Sequence, residues 1–364
     1  MNKKICVYAI AKNEIKFIDR WFNSVKEADY VCVLDTGSTD GTFERLKELN
    51  IITKQKVYKN FRFDTARNDS LKLIPNDANI CVCVDLDEIF EPDWANKLKE
   101  HWQKNTERAR YRYTWNFNPD RSEGIVFYAD KIHANKKFVW VNPVHEILAP
   151  LKPHSYETIT IPNIQLNHHA DNTKSRSNYL PLLELSVKEN PENDRNMHYL
   201  GREYMFYGKY DEAIETLKNH LKLKSATWID ERCASLRYIA SCYKQKGDKI
   251  NQEKYLNLAI LENKNLREPY FELALFYYDN KDYLKAAVTF EQMLNITNRN
   301  LNYISLPMCW GATPYDYLAI CYYELGEIKK AILNTEIALK YSNEERLKNN
   351  LKILNELLIN NIKK

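Results

Sequence analysis

The sequence lacks the glycine-rich motifs with which many enzymes hold phosphate groups. Neither a Gly-x-Gly-x-x-Gly fingerprint nor a P-loop occurs in the 364 residues, which disfavours dinucleotide-dependent dehydrogenases and P-loop kinases. The net charge is only +4, and no run of lysine and arginine interleaved with aromatic residues stands out. We therefore expect no nucleic-acid partner.

Long apolar runs and paired cysteines are also missing. No stretch approaches the roughly 20 apolar residues of a membrane-spanning helix, so we expect no membrane span. The eight cysteines are scattered without a C-x-x-C pair. Cys81, Cys83, Cys233 and Cys242 fall in apolar periodic segments, which predicts reduced core thiols in a cytoplasmic protein.

Short β-type runs alternate with helical stretches up to about residue 170. This pattern is typical of βαβ units and predicts an α/β nucleotide-binding domain with a mainly parallel sheet. Aromatic and β-branched runs near its end suit antiparallel or edge strands added to that sheet. The expected strands cover 5–10, 30–34, a segment beginning at 57, 80–84, 111–117 and 125–127, and the expected helices cover 14–28, 42–49 and 65–73.

Four imperfect copies of a helical repeat follow. Small and aromatic residues recur at tetratricopeptide spacings, and Gly208, Gly247 and Gly326 suit the turns between paired helices. Lys281 stands at the corresponding turn of the third copy. We predict an all-α tetratricopeptide-like solenoid. The expected boundaries are 1–170 for the α/β domain, 171–194 for a linker and first connecting helix, and 195–364 for the repeats.

Acidic residues follow two of the predicted strands. Asp85-Leu86-Asp87-Glu88 comes after the strand at 80–84, and Asp35 comes after the strand at 30–34, before a loop of small residues. The carboxyl ends of parallel strands share one edge of a sheet, so we expect these acids to lie near each other. Their oxygens suit Mg²⁺ or Mn²⁺, although a capped turn explains the small-residue loop equally well.

Four motifs, in this order, resemble those of family 2 nucleotide-sugar glycosyltransferases of the GT-A fold. They are Ala11-Lys12-Asn13-Glu14, the segment from Asp35 to Thr42, the segment from Arg62 to Asn68, and Asp85-Leu86-Asp87-Glu88 as the D-x-D motif. The resemblance spans about residues 1–170. It implies a nucleoside-diphosphate sugar donor, most simply a UDP-sugar, and a Mn²⁺ or Mg²⁺ ion.

The same resemblance implies roles for individual residues. The donor-binding set is Ala11, Asp35 and Asp64 toward the base and ribose, Arg67 near them or the diphosphate, Asp85 near the ribose and the metal, and Glu14 of the first motif. Asp87 is implied as a metal ligand. Mn²⁺ tolerates one imidazole among oxygen ligands, so His168 or His145 is a candidate for a further metal ligand.

The layout of such a domain before tetratricopeptide repeats is similar to that of bacterial peptide S-glycosyltransferases. The segments Asp130 to His133 and Trp140 to Glu146, expected in that subgroup, both occur. An inverting transfer needs a base on the acceptor side. Glu146, a carboxylate beside an aromatic loop, is our first candidate for that base, and Asp130 is the rival.

The sequence thus predicts a metal-dependent inverting glycosyltransferase acting on a protein, peptide or glycan acceptor. The repeats are expected to recognise the acceptor or to form a homodimer. The alternative is a peptide-binding scaffold with an inactive transferase domain. Retention of Asp35, Asp85 and Asp87 disfavours that alternative.

Overall fold

A computed structural model describes residues 3–171 and 179–362, which divide into a first unit, Met1–Pro191, and a second unit, Glu192–Lys364. The described strands of the first unit are β1 (Ile5–Ala11), β2 (Tyr30–Asp35), β3 (Ile52–Gln55), β4 (Ile80–Cys83), β5 (Glu88–Phe90), β6 (Thr106–Thr114), β7 (Val126–Ala134), β8 (Phe138–Val141), β9 (Ile147–Pro150) and β10 (Glu157–His168). Its described helices are α1 (Ile15–Val25), α2 (Thr42–Glu48), α3 (Phe63–Leu71), α4 (Trp94–His101) and α5 (Tyr179–Glu189).

Eight of these strands form one sheet in the order β3-β2-β1-β4-β7-β6-β10-β5. The first four run parallel to one another, β7 is antiparallel to both of its neighbours, and β10 is parallel to β6. β8 and β9 pair separately as a two-stranded sheet. The predicted α/β fold with a mainly parallel sheet is confirmed.

β1 and β4, adjacent strands in the interior of the sheet, are apolar throughout because both faces of the sheet are covered there. On β1, Ile5 and Val7 belong to one core cluster, while Cys6 and Tyr8 belong to a cluster on the other face. β4 alternates in the same way. This explains why the sequence of these strands has a continuous apolar run rather than an alternation of apolar and polar residues.

The predicted third strand was misplaced. Val57 is 75% exposed, and β3 lies earlier in the chain, where Ile52 pairs with Cys32 of β2. The error arose because β3 is a polar edge strand, of sequence ITKQ, whose place in the sheet depends on pairing with β2 rather than on apolar content. β6 and β7 are likewise longer than expected, because their charged residues concealed the strand pattern.

The second unit consists of helical hairpins, as predicted. Its described helices are α6 (Asp194–Phe206), α7 (Tyr210–Lys222), α8 (Ile229–Gln245), α9 (Lys249–Glu262), α10 (Arg267–Asp279), α11 (Tyr283–Leu294), α12 (Thr313–Glu324), α13 (Ile328–Leu339) and α14 (Glu345–Ile362), with a 3₁₀ turn at Pro307–Cys309. Consecutive helices pack as pairs around small buried residues such as Ala213, Ala240 and Ala286. The tetratricopeptide-like solenoid is confirmed.

Two further expectations concern the whole described chain. All eight cysteines are free and buried. Over residues 3–171 and 179–362, no helix combines the length and the apolar character that a membrane crossing requires.

Candidate functional site

Asp35 ends β2, and its two carboxylate oxygens have different surroundings. Its Oδ1 accepts hydrogen bonds from the backbone N–H groups of Gly37 and Ser38 and from Gln55 Nε2, each at 2.9 Å. Its Oδ2 is buried and has no hydrogen-bond partner among the described residues. A buried carboxylate oxygen in this state is costly unless a ligand donates to it.

The D-x-D turn lies at the same edge of the sheet. Ala11 pairs with Asp35 across β1 and β2, and Tyr8 of β1 pairs with Cys83 of β4. Asp85 follows Cys83 by two residues, which places it level with the carboxyl end of β1. The parallel register therefore brings Asp35 and the D-x-D turn to one edge, as the sequence predicts.

Glu88 shapes the D-x-D turn from inside. Its Oε2 accepts the backbone N–H of Asp85 at 2.8 Å, its own N–H donates to Asp85 O at 2.9 Å, and its Oε1 accepts from the Tyr113 hydroxyl at 2.9 Å. Glu88 is 2% exposed. Its carboxylate thus fixes the orientation of the turn that carries the two aspartates.

Two cations hold the Asp85 carboxylate. Arg67 Nη1 lies 2.9 Å from Asp85 Oδ1, and Lys131 Nζ lies 2.9 Å from Oδ2. Burial alone would raise the pKa of the Asp85 carboxyl, but the charges of Arg67 and Lys131 hold that pKa well below its usual range. Asp85 is therefore an anion whose charge is already balanced by the protein.

Arg67 also reaches the candidate base. Its Nε donates to Glu146 Oε1, its Nη1 contacts Cys83 Sγ at 3.0 Å, and its guanidinium lies 5.1 Å from the Trp140 ring centroid. The Arg67 side chain is only 6% exposed. One buried guanidinium thus joins Asp85 of the D-x-D turn to Glu146.

The loop that carries Glu146 is positioned by contacts of β8. Asn68 hydrogen-bonds both the backbone N–H and the C=O of Trp140, each at 2.8 Å. Trp140 Nε1 donates to the Tyr8 hydroxyl at 2.9 Å. Because Glu146 comes just before β9, the partner of β8, these contacts determine where its carboxylate lies.

Asp87 meets His168 because β5 pairs with the end of β10. Glu88 is opposite His168 in that ladder, and the His169 N–H donates to Asp87 O at 2.8 Å. His168 Nε2 then lies 3.4 Å from Asp87 Oδ2, while its Nδ1 is 2.8 Å from Trp115 O. Burial lowers the pKa of His168, but the hydrogen bond and charge of Asp87 outweigh it and raise that pKa.

The four predicted metal ligands do not gather into one cluster. Among residues 3–171 and 179–362, no group of three or more His, Cys, Asp or Glu side chains is arranged to hold a metal ion. Asp87 and His168 converge, Asp85 is held by two cations, and the ring of His145 packs edge-on against Tyr179 at 5.8 Å. A carboxylate and an imidazole fit two positions of a Mn²⁺ site that donor oxygens and water would complete.

The other predicted residues have separate surroundings. Asp64 pairs with Arg62 at 2.8 Å and accepts the Thr65 N–H at 2.6 Å. Asp130 pairs with Arg108 at 2.6 Å and its side chain is about half exposed, at 54%. The backbone N–H of Glu14, a buried residue, donates to Thr42 Oγ1 at 2.7 Å.

Sequence reasoning gave no role to Lys131 or Asn68 at the site. Both lie inside segments that the family resemblance singled out, and that was the one available signal. Lys131 reaches Asp85 and Glu88 only because β7 pairs with β4. Nothing in the order of residues along the chain shows that pairing.

Residues 6–147 match the protein family described as Glycosyl transferase family 2. The first unit carries a family 2 glycosyltransferase domain. The chain is a glycosyltransferase, which confirms the resemblance drawn from the four motifs. The matched range begins at the second residue of β1 and contains β2 to β8, the D-x-D turn and Glu146.

Two curated relatives carry a glycosyltransferase name. They are the SPbeta prophage-derived glycosyltransferase SunS of Bacillus subtilis (strain 168) and the glycosyltransferase SunS of Bacillus phage SPbeta. Each is 26% identical to this chain over 297 residues, covering 76% of this chain and 67% of the relative. The match is longer than the family 2 domain alone.

Among solved structures, the chain is similar over part of its length to the following two crystal structures. MamA aligns over 46% of this chain and 82% of its own, with 21% identity and a TM-score of 0.36. TTC0263 of Thermus thermophilus, described as a thermophilic TPR protein, aligns over 48% of this chain and 88% of its own, with 19% identity and a TM-score of 0.33.

Proposed function

We propose that the chain is a metal-dependent inverting glycosyltransferase that takes its sugar from a UDP-sugar and passes it to a peptide, protein or glycan acceptor. The observation that carries this proposal is the buried Oδ2 of Asp35, which has no hydrogen-bond partner within residues 3–171 and 179–362 and lies at the same sheet edge as the D-x-D turn. A base N–H or a ribose hydroxyl of the donor would satisfy that oxygen. Ala11, Glu14 and Asp64, on the motifs around it, complete the proposed nucleoside site.

Asp87 and His168 are the residues that would hold the metal ion. When bound there, Mn²⁺ or Mg²⁺ would neutralise charge on the departing diphosphate. Asp85 is better placed toward the ribose, since both of its oxygens are already bonded to cations. His145 contributes to the loop around Glu146 rather than to this pair.

Glu146 is the proposed base. In an inverting transfer, the acceptor atom attacks the anomeric carbon, the bond to the diphosphate oxygen breaks with its electron pair, and the acceptor proton passes to a base. Glu146 is tied through Arg67 to Asp85, so it lies beside the proposed donor site. Asp130 pairs with Arg108, and among the described residues neither of them is hydrogen-bonded or ion-paired to the D-x-D turn; this separation favours Glu146.

We assign acceptor recognition to the second unit. Stacked helical hairpins create extended surfaces that suit peptides in an open conformation. Its exposed aromatic and aliphatic side chains, among them Phe206, Tyr207 and Trp228, offer contact area for such a chain. Pairing of two copies through the repeats is the other use of this surface that the proposal includes.

Calorimetric titration with UDP, with and without Mn²⁺, tests the donor and metal assignments.

Asp87→Asn should lower the rate of UDP-sugar hydrolysis by at least about a hundredfold, because it removes a ligand of an ion that stabilises the leaving group by several kcal/mol. Asp19→Asn, an exposed aspartate paired with Arg45 on α1 and α2, is the matched control and should keep full activity. Absence of binding at millimolar UDP in both conditions would refute the proposal.

A further inference from the structure

Lys131 presents an unused hydrogen-bond donor beside the D-x-D turn. An ammonium group has three N–H donors. Two are used, since Lys131 Nζ lies 2.9 Å from Asp85 Oδ2 and 2.9 Å from Glu88 Oε1. Among the described residues none accepts the third. The Lys131 side chain is 25% exposed, so this N–H is accessible to a ligand.

Both carboxylates that hold Lys131 are themselves fixed. Glu88 is anchored by the Tyr113 hydroxyl and the Asp85 N–H, and Asp85 is bonded on its other side by Arg67. The ammonium therefore has a defined position and is not a mobile surface charge. A cation held in place in advance costs little further ordering when it binds an anion.

Arg67 does not offer the same opportunity. Its guanidinium is directed to Asp85, Glu146 and Cys83 and is almost fully buried. Lys131, in contrast, pairs only with Asp85 and Glu88 among the described residues and is 25% exposed. Lys131 is thus the partly exposed cation of this turn.

We propose that Lys131 binds the diphosphate of the nucleotide-sugar donor by giving its third N–H to a phosphate oxygen. This rests on the proposed function and adds to it a protein cation that acts beside the metal ion. When the bond from the anomeric carbon to the diphosphate breaks, the electron pair remains on the diphosphate oxygen, and the Lys131 charge stabilises that product. The lysine stays protonated throughout.

Nucleotide titrations without metal isolate this contact. The full chain and its variants are titrated with uridine and with UDP in EDTA, so that the difference between the two ligands reports the phosphate groups. Lys131→Met should weaken UDP binding by about tenfold or more, the worth of one charge-assisted hydrogen bond, and leave uridine binding unchanged. Lys131→Arg should recover most of the loss.

A matched control is available on the following turn. Lys136 is an exposed lysine that donates to Asn76, and Lys136→Met should bind both ligands as the unchanged protein does. The uridine titration also shows whether each variant keeps its nucleoside site intact.

Three results would overturn the assignment. Equal UDP binding in Lys131→Met and the unchanged protein would exclude a phosphate contact. Equal losses for uridine and UDP would show that Lys131 only supports the Asp85 turn. If the unchanged protein binds uridine and UDP with the same affinity, the diphosphate contact is refuted; if it binds neither even with Mn²⁺, the proposed function fails first.

Discussion

At the scale of single residues, Arg67 connects the two halves of the proposed chemistry. It bonds Asp85 on the donor side and Glu146 on the acceptor side while stacking on Trp140. A planar guanidinium can do this because its donors point in fixed, different directions. Arg67 also reaches Cys83 Sγ with the same guanidinium, so a lysine here would lack the number and fixed directions of these donors.

Amide variants of Glu146 and Asp130 show which of the two carboxylates is the base. Glu146→Gln should lower kcat for transfer by about a hundredfold or more while changing donor affinity by less than about threefold, because a base acts in the transition state. Asp130→Asn, the matched amide variant, should keep near-normal kcat. Steady-state kinetics with paired UDP titrations measure both quantities. A larger kcat loss in Asp130→Asn would reverse the assignment.

His133 should make the first unit sensitive to acid. It accepts from the Tyr8 hydroxyl at Nε2, at 2.8 Å, and contacts Ala134 O at Nδ1, at 3.0 Å. Burial lowers the pKa of His133 to about 4. The unfolded chain, with an ordinary histidine, therefore takes up a proton first as the pH falls below about 6.5.

The stability of the strand around His133 should fall by up to about 3 kcal/mol as the pH drops from 6.5 toward 4, and should not change on this account above pH 7. Hydrogen exchange of β7 amides, corrected for intrinsic rates, measures this. His133→Gln removes the titrating group and should flatten the slope. If the stability of β7 depends on pH equally in both proteins, a group other than His133 causes the acid sensitivity.

At the scale of elements, the turns between paired helices share one backbone conformation. Gly208, Gly247 and Gly326 have φ of +72°, +74° and +77°, and the turn of the third hairpin has Lys281 at φ +61°. A lysine in this left-handed conformation is strained, whereas glycine is not. The third turn is therefore the position where the repeat departs from its own pattern.

Lys281→Gly should stabilise the second unit by about 1 kcal/mol, because it relieves the left-handed strain at an exposed position. Gly247→Ala is the reverse control and should destabilise the second unit by about as much. A Cβ at this position would meet no atom within 4 Å, so the expected cost comes from the left-handed backbone alone and not from a steric clash. Urea denaturation followed by helical circular dichroism compares them. A destabilised Lys281→Gly variant would mean that the lysine side chain makes a favourable contact.

At the scale of the whole molecule, α5 lies in the span 171–194, for which the sequence predicts a linker and first connecting helix, and it groups with the first unit. Glu189 pairs with Arg62 at 2.6 Å, and the Tyr179 ring lies 6.1 Å from Phe63 and 5.8 Å from His145. These contacts join α5 to the motif of α3 and to the loop of Glu146. We propose 1–191 as the extent of the transferase domain.

Two truncations test this boundary and the role of the repeats. A chain of residues 1–191 should keep UDP-sugar hydrolysis and lose transfer to the natural acceptor, because acceptor recognition is assigned to the second unit. A chain of residues 1–171 lacks α5 and should melt at a lower temperature than 1–191. Mass spectrometry of the products measures hydrolysis and transfer, and thermal melting compares the stability of the two truncated chains. Transfer by 1–191 alone would remove the repeats from acceptor recognition.

The sequence predicts local features of the fold well. β1, β2 and β4 are apolar enough to be placed within a residue or so, and the glycine turns reveal the hairpins of the second unit. β3 and the starts of β6 and β7 escape because their residues are polar, and edge or mixed strands are defined by a partner rather than by composition. The segment 172–178, within the predicted linker, lies outside the described residues.

The amino-acid sequence alone determined the α/β fold class of the first unit and the repeat architecture of the second, because both follow from short-range periodicity. It also predicted that Asp35 and the D-x-D turn share one edge of the sheet, because the carboxyl ends of parallel strands lie together. Only the tertiary structure decided which side chains meet. Asp87 joins His168 through the pairing of β5 with β10, Asp85 joins Lys131 across β4 and β7, and Arg67 joins Glu146 across 79 residues. Ion pairs form between groups that folding brings within a few ångströms, and that proximity is set by strand register rather than by spacing along the chain.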